Sequence, residues 1–212
     1  HSICVLVTAV FHQMGGDSQK AMALIQKRLQ NPAYTRNTLA RMSVPLTIVH
    51  LLDANLDGVR KAAQHNLQLT RGLPLYHTRT YAYVHLGIAC YLQNDFAAAQ
   101  EALQKAMDHR YVANPSWVTD AGFALVCLYL SRGQNDAAAK VLAQIRTHCH
   151  EGDHGRSMEL YPAFEIEYLL RQKKFKKAIA LAPSVDFEVR SPRYFFYVPQ
   201  ITQCKCFLAQ DT

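Results

Sequence analysis

The chain has 212 residues, half of them apolar, and a formal net charge of +7 at pH 7. This composition supplies enough apolar surface for a continuous core and excludes an intrinsically disordered chain. No apolar run is long enough to span a bilayer, and no leader-like segment with a charged and then an apolar region opens the sequence. We therefore expect a soluble cytoplasmic protein with no membrane partner, whose positive charge favours an anionic partner.

The six cysteines are too sparse for a disulfide scaffold. Cys90 and Cys127 lie in apolar helical stretches, where a thiol packs as a small hydrophobe. Cys204 and Cys206 are two residues apart and point to different sides of a helix, so they form no redox motif. These features predict a reducing compartment.

A short polar turn followed by an amphipathic stretch recurs along the chain, with the turns near Gly16, Asn55, Asn94, Gly133 and Lys173. The corresponding helix starts are Ser18, Leu56, Phe96, Asn135 and Phe175, spaced by 38, 40, 39 and 40 residues. Self-similarity at such a period is typical of helical repeats. Each repeat therefore predicts a first helix before its turn and a second helix after it.

Three residues beyond each helix start lies a small or β-branched apolar residue, namely Ala21, Val59, Ala99, Ala138 and Ala178. Side chains of this kind allow two helices to approach closely, so these positions predict the contact between paired helices. The links between repeats carry helix breakers, at residues 31–32, 72–74, 114–116, 152–155 and 183–192. Pro45, Pro162 and Pro199 recur near the first helices and predict first turns or kinks. We expect about eleven helices and no strand.

Residues 86–99, which begin Leu86-Gly87 and end Phe96-Ala97-Ala98-Ala99, resemble the tetratricopeptide pattern, with Asn94 in place of its turn glycine. The longer period, and residues 193–212 with their Phe-Tyr-Val-Pro-Gln-Ile-Thr run, resemble the MalT-like region of large ATP-dependent LuxR-type transcriptional regulators of the STAND class. The resemblance is best from about Thr78 onward. It implies an all-α fold, a right-handed α-solenoid of about five to six tetratricopeptide-like helix pairs with a 38–40 residue period.

The repeat pattern runs over residues 1–212 as a single domain, and its last helix lacks a partner, so we expect a fragment of a larger multidomain protein. In the family the repeats receive an inducer or an inhibitory partner, between a nucleotide-binding module and a DNA-binding domain. The sequence has no GxxxxGK[ST] phosphate loop and no terminal helix-turn-helix. The resemblance therefore implies that ATP and DNA are bound only by other domains. Other large proteins with the same nucleotide-binding switch carry cyclase or kinase modules in place of the DNA-binding domain. The resemblance therefore does not identify the output domain.

These features predict a non-catalytic domain that senses a small-molecule inducer or a protein partner. The alternative is a generic scaffold that docks a peptide or helix of a partner protein. Arg41, Tyr81, Asp120 and Tyr197 share a register in the tetratricopeptide-like pattern, in which the second residue of each first helix points to the concave face. We predict that they form the binding surface. Packing between repeats is the alternative role for Tyr81 and Tyr197.

The segment of residues 148–154 gathers potential zinc ligands, His148 and Cys149 among them, but no second cluster completes a tetrahedral set. We predict a polar loop between repeats, with no metal and no cofactor. No GxSxG or HExxH motif occurs, and Glu165 and Glu167 face different directions on a helix, so we expect no enzymatic activity. The basic run from Arg171 to Lys177 predicts a solvated turn. The side chains predicted for the concave face differ in chemistry from repeat to repeat, which argues against an array of repeats that reads RNA bases.

Overall fold

The computed structural model of the chain describes residues 2–151, 155–187 and 196–210. These residues form eleven α-helices and two short 3₁₀ helices, and no strand occurs among them. The predicted all-α class is thus confirmed. The helices are α1 (Ser2–Met14), α2 (Ser18–Leu29), α3 (Arg36–Leu52), α4 (Leu56–Thr70), α5 (Tyr76–Leu92), α6 (Phe96–Asp108), α7 (Pro115–Ser131), α8 (Asn135–Glu151), α9 (Gly155–Arg171), α10 (Phe175–Leu181) and α11 (Pro199–Gln210); the 3₁₀ helices are Arg110–Val112 and Ala182–Ser184.

The predicted turns and helix starts are confirmed. The second helices α2, α4, α6, α8 and α10 begin at Ser18, Leu56, Phe96, Asn135 and Phe175, which are the helix starts that the sequence predicts. Each first helix packs on the second helix that follows it. The five predicted contact residues Ala21, Val59, Ala99, Ala138 and Ala178 are all fully buried. Small residues at this position let the paired helices approach closely.

All five turns within pairs have the same backbone geometry. The residue two positions after each first helix has a positive φ, and these residues are Gly16, Ala54, Asn94, Gly133 and Lys173. In the first turn, the N–H of Asp17 donates to the carbonyl of His12 over 2.9 Å, and the N–H of Gly16 donates to Gln13. The same pair of bonds closes the other four turns. This is the Schellman motif, which satisfies the last carbonyls of a helix.

Three of these turns also begin the next helix with a side-chain cap. Asp17, Asn55 and Asp95 each accept a hydrogen bond from the backbone N–H three residues onward, over 3.1, 2.9 and 3.4 Å respectively. A capping oxygen at this position satisfies one of the unpaired amides of a helix start. The turn chemistry is therefore local, which explains why the sequence predicts it well.

The chain divides into two compact units, His1–Asn114 and Pro115–Thr212. The first unit contains α1 to α6, and its first helices pack in sequence, α1 on α3 and α3 on α5. Asn66 of α4 joins its pair partner α3 by donating to the carbonyl of Ala40 over 2.7 Å. Between repeats, Thr47 of α3 and His85 of α5 are hydrogen-bonded in the buried interface. The prediction of one domain over residues 1–212 stays a prediction.

The second unit contains α7 to α11 and has an aromatic centre. Phe123 of α7 and Phe164 of α9 are fully buried, with their rings stacked at a centroid distance of 3.7 Å. The helix α11 packs on α9 and α10. Cys206 is buried on α11 whereas Cys204 is exposed, as their spacing predicts. Neighbouring first helices thus pack on each other in this unit as well.

The three prolines divide between the two predicted roles. Pro199 begins α11, whereas Pro45 and Pro162 lie inside α3 and α9, where a kink is the role that stays a prediction. The breakers at residues 152–154 and 188–192, and the start of the family-like segment at residues 193–195, lie outside the described residues. Among the described helices, none combines the length and the apolar character that crossing a membrane requires.

Candidate ligand-binding surface

The four predicted binding residues are distributed over both units. Arg41 and Tyr81 belong to α3 and α5 in the first unit, and Asp120 belongs to α7 in the second. Each is the sixth residue of its helix rather than the second, because the first helices begin earlier than the sequence indicates. Tyr197 precedes α11. The shared register of the three helical residues is therefore correct, although their position along the helix was not.

A residue that the sequence prediction missed, His77, contacts Tyr81 and lies within range of the charge of Arg41. The hydroxyl of Tyr81 lies 3.0 Å from Nε2 of His77, which is one helical turn earlier on α5, and the two rings meet edge to face. Arg41 lies close enough to His77 for its charge to act on the imidazole. On α3, Nε of Arg41 donates to Oδ1 of Asn37 over 2.9 Å. We call Asn37, Arg41, His77 and Tyr81 the α3–α5 surface.

The protonation states of this surface follow from its contacts. Loss of hydration and the positive charge of Arg41 both lower the pKa of His77, so the imidazole is neutral at pH 7. Nε2 then accepts a hydrogen bond from the Tyr81 hydroxyl. Partial burial raises the pKa of Tyr81, although a hydrogen bond from the backbone of Asn114 acts to lower it. The surface at pH 7 therefore carries one positive charge, the guanidinium of Arg41.

Exposure makes the α3–α5 surface accessible to a ligand. Asn37, Arg41 and His77 are exposed, and Tyr81 is half-buried. Nε of Arg41 is bound to Asn37, which orients the guanidinium and leaves its two terminal nitrogens for another acceptor. A guanidinium held in this way presents paired donors that match a carboxylate or phosphate. The arrangement is suited to an anionic ligand that also lies against an aromatic ring.

Two arginines at the starts of α3 and α5 hold these helices relative to each other. A terminal nitrogen of Arg36 on α3 donates to the carbonyls of Gln68 and Arg71, over 3.0 and 2.6 Å. A terminal nitrogen of Arg79 on α5 donates to the carbonyls of Thr70 and Leu73. The carbonyls of Gln68, Thr70 and Arg71 lie in the last turn and at the C-cap of α4, where helix carbonyls lack intrahelical partners, and Leu73 lies three residues past the end of α4. Both first helices are thus fixed to one helix terminus beside the α3–α5 surface.

Asp120 and Tyr197 have the burial of interior residues, each with 6% of its surface exposed. The ring of Tyr197 meets Phe123 and Phe164 edge-on, with centroid distances of 5.3 and 5.0 Å, and its hydroxyl donates to Thr202. Burial raises the pKa of Tyr197 far above its usual range. These contacts match the packing alternative for Tyr197, and its binding role stays a prediction.

The second unit contains a polar network around Glu167, of which 3% is exposed. Its carboxylate accepts hydrogen bonds from Arg171, Thr202 and Lys205, over 2.7, 2.9 and 2.6 Å. Burial opposes ionisation, but the Lys205 hydrogen bond and the charges of Arg171 and Lys205 outweigh it and hold the pKa of Glu167 below its ordinary value. Glu165 is only half-buried, so the two glutamates do face different directions. The network binds α9 to α11.

The remaining candidate segments differ in burial. The predicted polar loop at residues 148–154 is wrong for its first four residues, because His148 and Cys149 are buried within α8, which extends to Glu151. Residues 152–154 lie outside the described part of the chain. In the described part, no group of three or more histidine, cysteine or acidic residues is arranged to hold a metal.

In the basic run, Arg171, Lys173, Lys174, Lys176 and Lys177 are all exposed, as a solvated turn requires.

One open groove in the first unit has the size of a small-molecule site. Its volume is about 420 Å³, within the range of about 300 to 1,000 Å³ that is usual for ligand pockets. It lies between α2 and the end of α3, and its lining includes Met22, His50, Asp53 and Asn55. Loss of hydration lowers the pKa of His50, although the negative charge of Asp53 acts to raise it. The lining is mostly polar: Met22 and Ala23 are its apolar residues, His50 supplies a neutral imidazole and Asp53 a carboxylate.

His77 could have been found from the sequence. It lies four residues before Tyr81 on a predicted helix, which places the two on one face, and Asn37 stands in the same relation to Arg41. The interval of 40 residues between the two pairs matches the repeat period. What the sequence did not supply was the contact between α3 and α5.

No family model fits the sequence, and no curated protein is significantly similar to it.

Proposed function

We propose that this chain is a non-catalytic helical-repeat domain that binds an anionic ligand on its α3–α5 surface. Its helix pairs would stack as a right-handed α-solenoid of five to six tetratricopeptide-like repeats, whose first helices line a concave face. The support is the constant 38–40 residue spacing of second helices and the packing of neighbouring first helices within each unit.

The observation that carries the proposal is the grouping of Arg41, His77 and Tyr81 on two successive first helices. Arg41 and His77 are exposed, so a ligand there keeps one side in water. Drug-sized ligands are instead largely buried in their pockets. The exposed arrangement therefore favours an acidic segment of a partner protein, with a carboxylate on Arg41 and an apolar group on the ring of Tyr81.

We further propose that this domain belongs to a cytoplasmic bacterial signalling ATPase or LuxR-type transcriptional regulator, and the resemblance of its sequence to the MalT-like region supports this. Binding would bias a switch elsewhere in the full-length protein, where other domains bind ATP and DNA. The same surface would serve a generic scaffold that docks a peptide of a partner protein. The repeat domain itself needs no cofactor for either role.

A small-molecule inducer is the second candidate ligand, and the groove of about 420 Å³ beside His50 and Asp53 favours it. A neutral imidazole and a carboxylate can orient a polar molecule, with Met22 as an apolar contact. This ligand would be uncharged or cationic, because Asp53 would repel an anion. The two candidate sites therefore select ligands of different charge.

A binding assay with a labelled hexaglutamate peptide tests the proposal. We expect Arg41→Ala to weaken binding about tenfold, or on the order of 1.4 kcal/mol, because it removes the one charge of the surface. Arg28→Ala is the matched control, since Arg28 is an exposed arginine of the same unit. It should leave the affinity nearly unchanged.

The basic run supplies the competing explanation. If Lys176→Ala with Lys177→Ala removes hexaglutamate binding while Arg41→Ala does not, the peptide binds the basic turn and the proposal is wrong. Equal small losses in the Arg41 and Arg28 variants would indicate non-specific attraction to a basic protein, which also contradicts it. A calorimetric screen of neutral metabolites against Asp53→Ala tests the second candidate.

A further inference from the structure

The groove of about 420 Å³ lies at the junction between two successive repeats of the first unit. One wall is the second helix of the first repeat, α2, which contributes Met22. The other wall is the end of α3 and the turn into α4, which contribute His50, Asp53 and Asn55. The next two repeats form an equivalent junction, between α4 and the turn from α5 into α6. The two junctions can therefore be compared residue by residue.

An arginine occupies the second junction at the position of Met22. Met22 directly follows Ala21 on α2, and Arg60 directly follows Val59 on α4. Ala21 and Val59 hold the same buried register position of their helices. Met22 and Arg60 therefore lie at equivalent positions, and each faces the turn of the following repeat.

The turn residues at the two junctions correspond as well. Asp53 and Gln93 are the C-caps of α3 and α5, and Asn55 and Asp95 are the N-caps of α4 and α6. Each turn thus presents one carboxylate and one side-chain amide, in exchanged order. Both turns can accept hydrogen bonds from a cation.

The side chain of Arg60 shows what the second junction holds. Its terminal nitrogens donate to Oε1 of Gln93 over 3.1 Å and to Oδ2 of Asp95 over 2.9 Å. Nε2 of Gln93 in turn donates to Oδ1 of Asp57 over 2.8 Å, which fixes the amide. A planar guanidinium presents several donors in a rigid fork and reaches two acceptors at once. The guanidinium of Arg60 therefore joins α4 to both ends of the turn from α5 into α6.

The first junction has an acceptor carboxylate but a different residue in place of the arginine. Met22, which is half-buried in the groove, has no hydrogen-bond donor in its side chain. Asp53 is exposed, and its Oδ1 accepts a hydrogen bond from Nε2 of Gln13. That bond uses one of about four acceptor positions of a carboxylate. Asp53 can therefore accept further hydrogen bonds from a group in the groove.

The charge and the order of the groove favour a cation. Among the described residues that line it, only Asp53 is charged at pH 7, because the lowered pKa of His50 keeps that imidazole neutral. Asn55 accepts from the backbone nitrogen of Gly58 over 2.9 Å, and its amide nitrogen lies 3.2 Å from Nδ1 of His50. These contacts hold the side chains beside Asp53 in place. The groove is thus a preformed site with one negative charge.

We propose that the groove binds a guanidinium group of a ligand, in the position that the Arg60 side chain holds between the next two repeats. The guanidinium pairs with the carboxylate of Asp53, and its apolar stem lies against Met22. The group comes either from an arginine side chain of a partner protein or from a free guanidino compound. This inference rests on the second candidate ligand of the proposed function, which it makes specific, and it does not depend on anion binding at the α3–α5 surface.

The exposure of the Arg60 ion pair indicates how strong the binding is. The side chains of Arg60 and Asp95 are 30 and 37% exposed, and an ion pair so open to water contributes little free energy. We therefore expect a Kd on the order of 1 mM. The net charge of the chain is +7, so non-specific attraction does not favour a cation. Binding in this range would therefore come from the groove.

An NMR titration of the ¹⁵N-labelled protein with N-acetyl-arginine amide at pH 7.5 tests the proposal. The amides of Asp53 and Asn55 and the ring nitrogens of His50 should shift and saturate. N-acetyl-lysine amide carries the same charge and is the matched control, which should bind more weakly because its ammonium lacks the planar fork. Free arginine distinguishes the two sources. Equal affinity for it identifies a free guanidino compound as sufficient, and weaker binding identifies the side chain of a partner protein.

Two substitutions should remove the site by different routes. Asp53→Asn should weaken binding of N-acetyl-arginine amide about tenfold, because it removes the charge that assists the hydrogen bonds. Asp108→Asn, at an exposed aspartate of α6, is its control. Met22→Arg supplies the groove with a guanidinium of the chain itself, as Arg60 does in the second junction, and should block binding and raise the melting temperature. Met22→Leu leaves the groove open and should bind like the wild type.

A wild type whose His50 and Asn55 signals stay unchanged up to about 20 mM N-acetyl-arginine amide, well above this Kd, overturns the proposal. Binding that both Asp53→Asn and Met22→Arg leave intact also overturns it, as does equal affinity for the lysine compound. Arg41→Ala separates this inference from the α3–α5 surface, since it should weaken hexaglutamate binding and leave the affinity for N-acetyl-arginine amide unchanged. Circular dichroism of each variant confirms that its helices are retained.

Discussion

Nδ1 of His85 on α5 lies 2.6 Å from the hydroxyl oxygen of Thr47 on α3, inside the interface between two repeats. The Thr47 hydroxyl donates its only proton to the carbonyl of Val44, over 2.8 Å, so its oxygen accepts from the imidazole. His85 is fully buried, and burial lowers its pKa to about 3. The repeat interface of the first unit therefore contains a neutral histidine at physiological pH.

Acid should destabilise the fold through His85. An ordinary histidine with a pKa of 6.5 gains a proton in the unfolded chain well before His85 gains one in the native state. The unfolded state thus binds more protons between pH 6.5 and about 3, and stability falls as pH falls through this window. The expected contribution is on the order of 1.4 kcal/mol per pH unit. Urea unfolding at pH 7.5 and 5.0 measures it.

His85→Gln is the matched variant for this experiment, because an amide can keep the bond to Thr47 but does not titrate. The variant should lose less stability than the wild type between the two pH values. Equal losses would mean that other groups, such as the remaining nine histidines, produce the acid sensitivity.

The five turns predict two substitutions with opposite effects. Ala54 has a φ of +54° in its turn, a conformation that disfavours any residue with a Cβ, whereas Gly133 holds the equivalent position with a φ of +70°. Ala54→Gly should raise the free energy of unfolding by about 0.5 to 1 kcal/mol, and Gly133→Ala should lower it by about 1. Ala139→Gly is the control for Ala54→Gly, because Ala139 is exposed in the regular helix α8. There the same change to glycine should lower the free energy of unfolding by about 1 kcal/mol. A destabilising Ala54→Gly would contradict the turn geometry.

Gly87 of α5 allows the close approach of α6. A Cβ added at Gly87 would lie 2.6 Å from Cδ2 and 3.1 Å from the backbone nitrogen of Leu103, a fully buried residue. Gly87→Ala should therefore lower the free energy of unfolding by about 1 to 3 kcal/mol, although alanine favours the helix. Thermal unfolding measures the effect. The loss should be smaller when Leu103→Ala is already present, and full additivity of the two losses would exclude the steric explanation.

Glu167 links α9 to α11 through its bonds to Thr202 and Lys205. Its pKa is held below the ordinary 4.5, so its stabilising contribution is present above pH 4.5 and is lost as pH falls through the native pKa. Glu167→Gln should lower stability at pH 7 by on the order of 1 to 3 kcal/mol, because a charge-assisted bond is lost in a buried site. The difference between the two proteins should shrink as pH falls through the native pKa of Glu167. A difference that is independent of pH would indicate a packing effect rather than a lost charge.

The sequence predicted the turns and helix pairs because their determinants are local. The positions Ser18, Leu56 and Phe96 follow a residue in the left-handed region and a capping side chain, all within four residues. The starts of the first helices were harder to locate. Thr35 caps α3, but Leu75 precedes α5 without any side-chain cap, so the sequence carries no start signal there.

The candidate α3–α5 surface could be predicted only in part, because it depends on contacts between repeats. The repeat register correctly placed Arg41 and Tyr81 at equivalent positions of successive helices. It did not reveal that His77 is hydrogen-bonded to Tyr81 and lies within range of the Arg41 charge, or that Tyr197 packs on Phe123. Residues at equivalent register positions can be exposed in one repeat and buried in another, since burial depends on the neighbouring helix.

The measurement that tests the proposed function most directly is an NMR titration of the ¹⁵N-labelled protein with the hexaglutamate peptide at pH 7.5 and pH 5.5. If the α3–α5 surface binds the anion, the ring nitrogens of His77 and the amides around Arg41 and Tyr81 shift on binding. The affinity should rise at the lower pH, because protonation of His77, whose pKa lies below 6.5, adds a second positive charge. Shifts confined to residues 171–177, with the His77 resonances unchanged, would contradict the proposal.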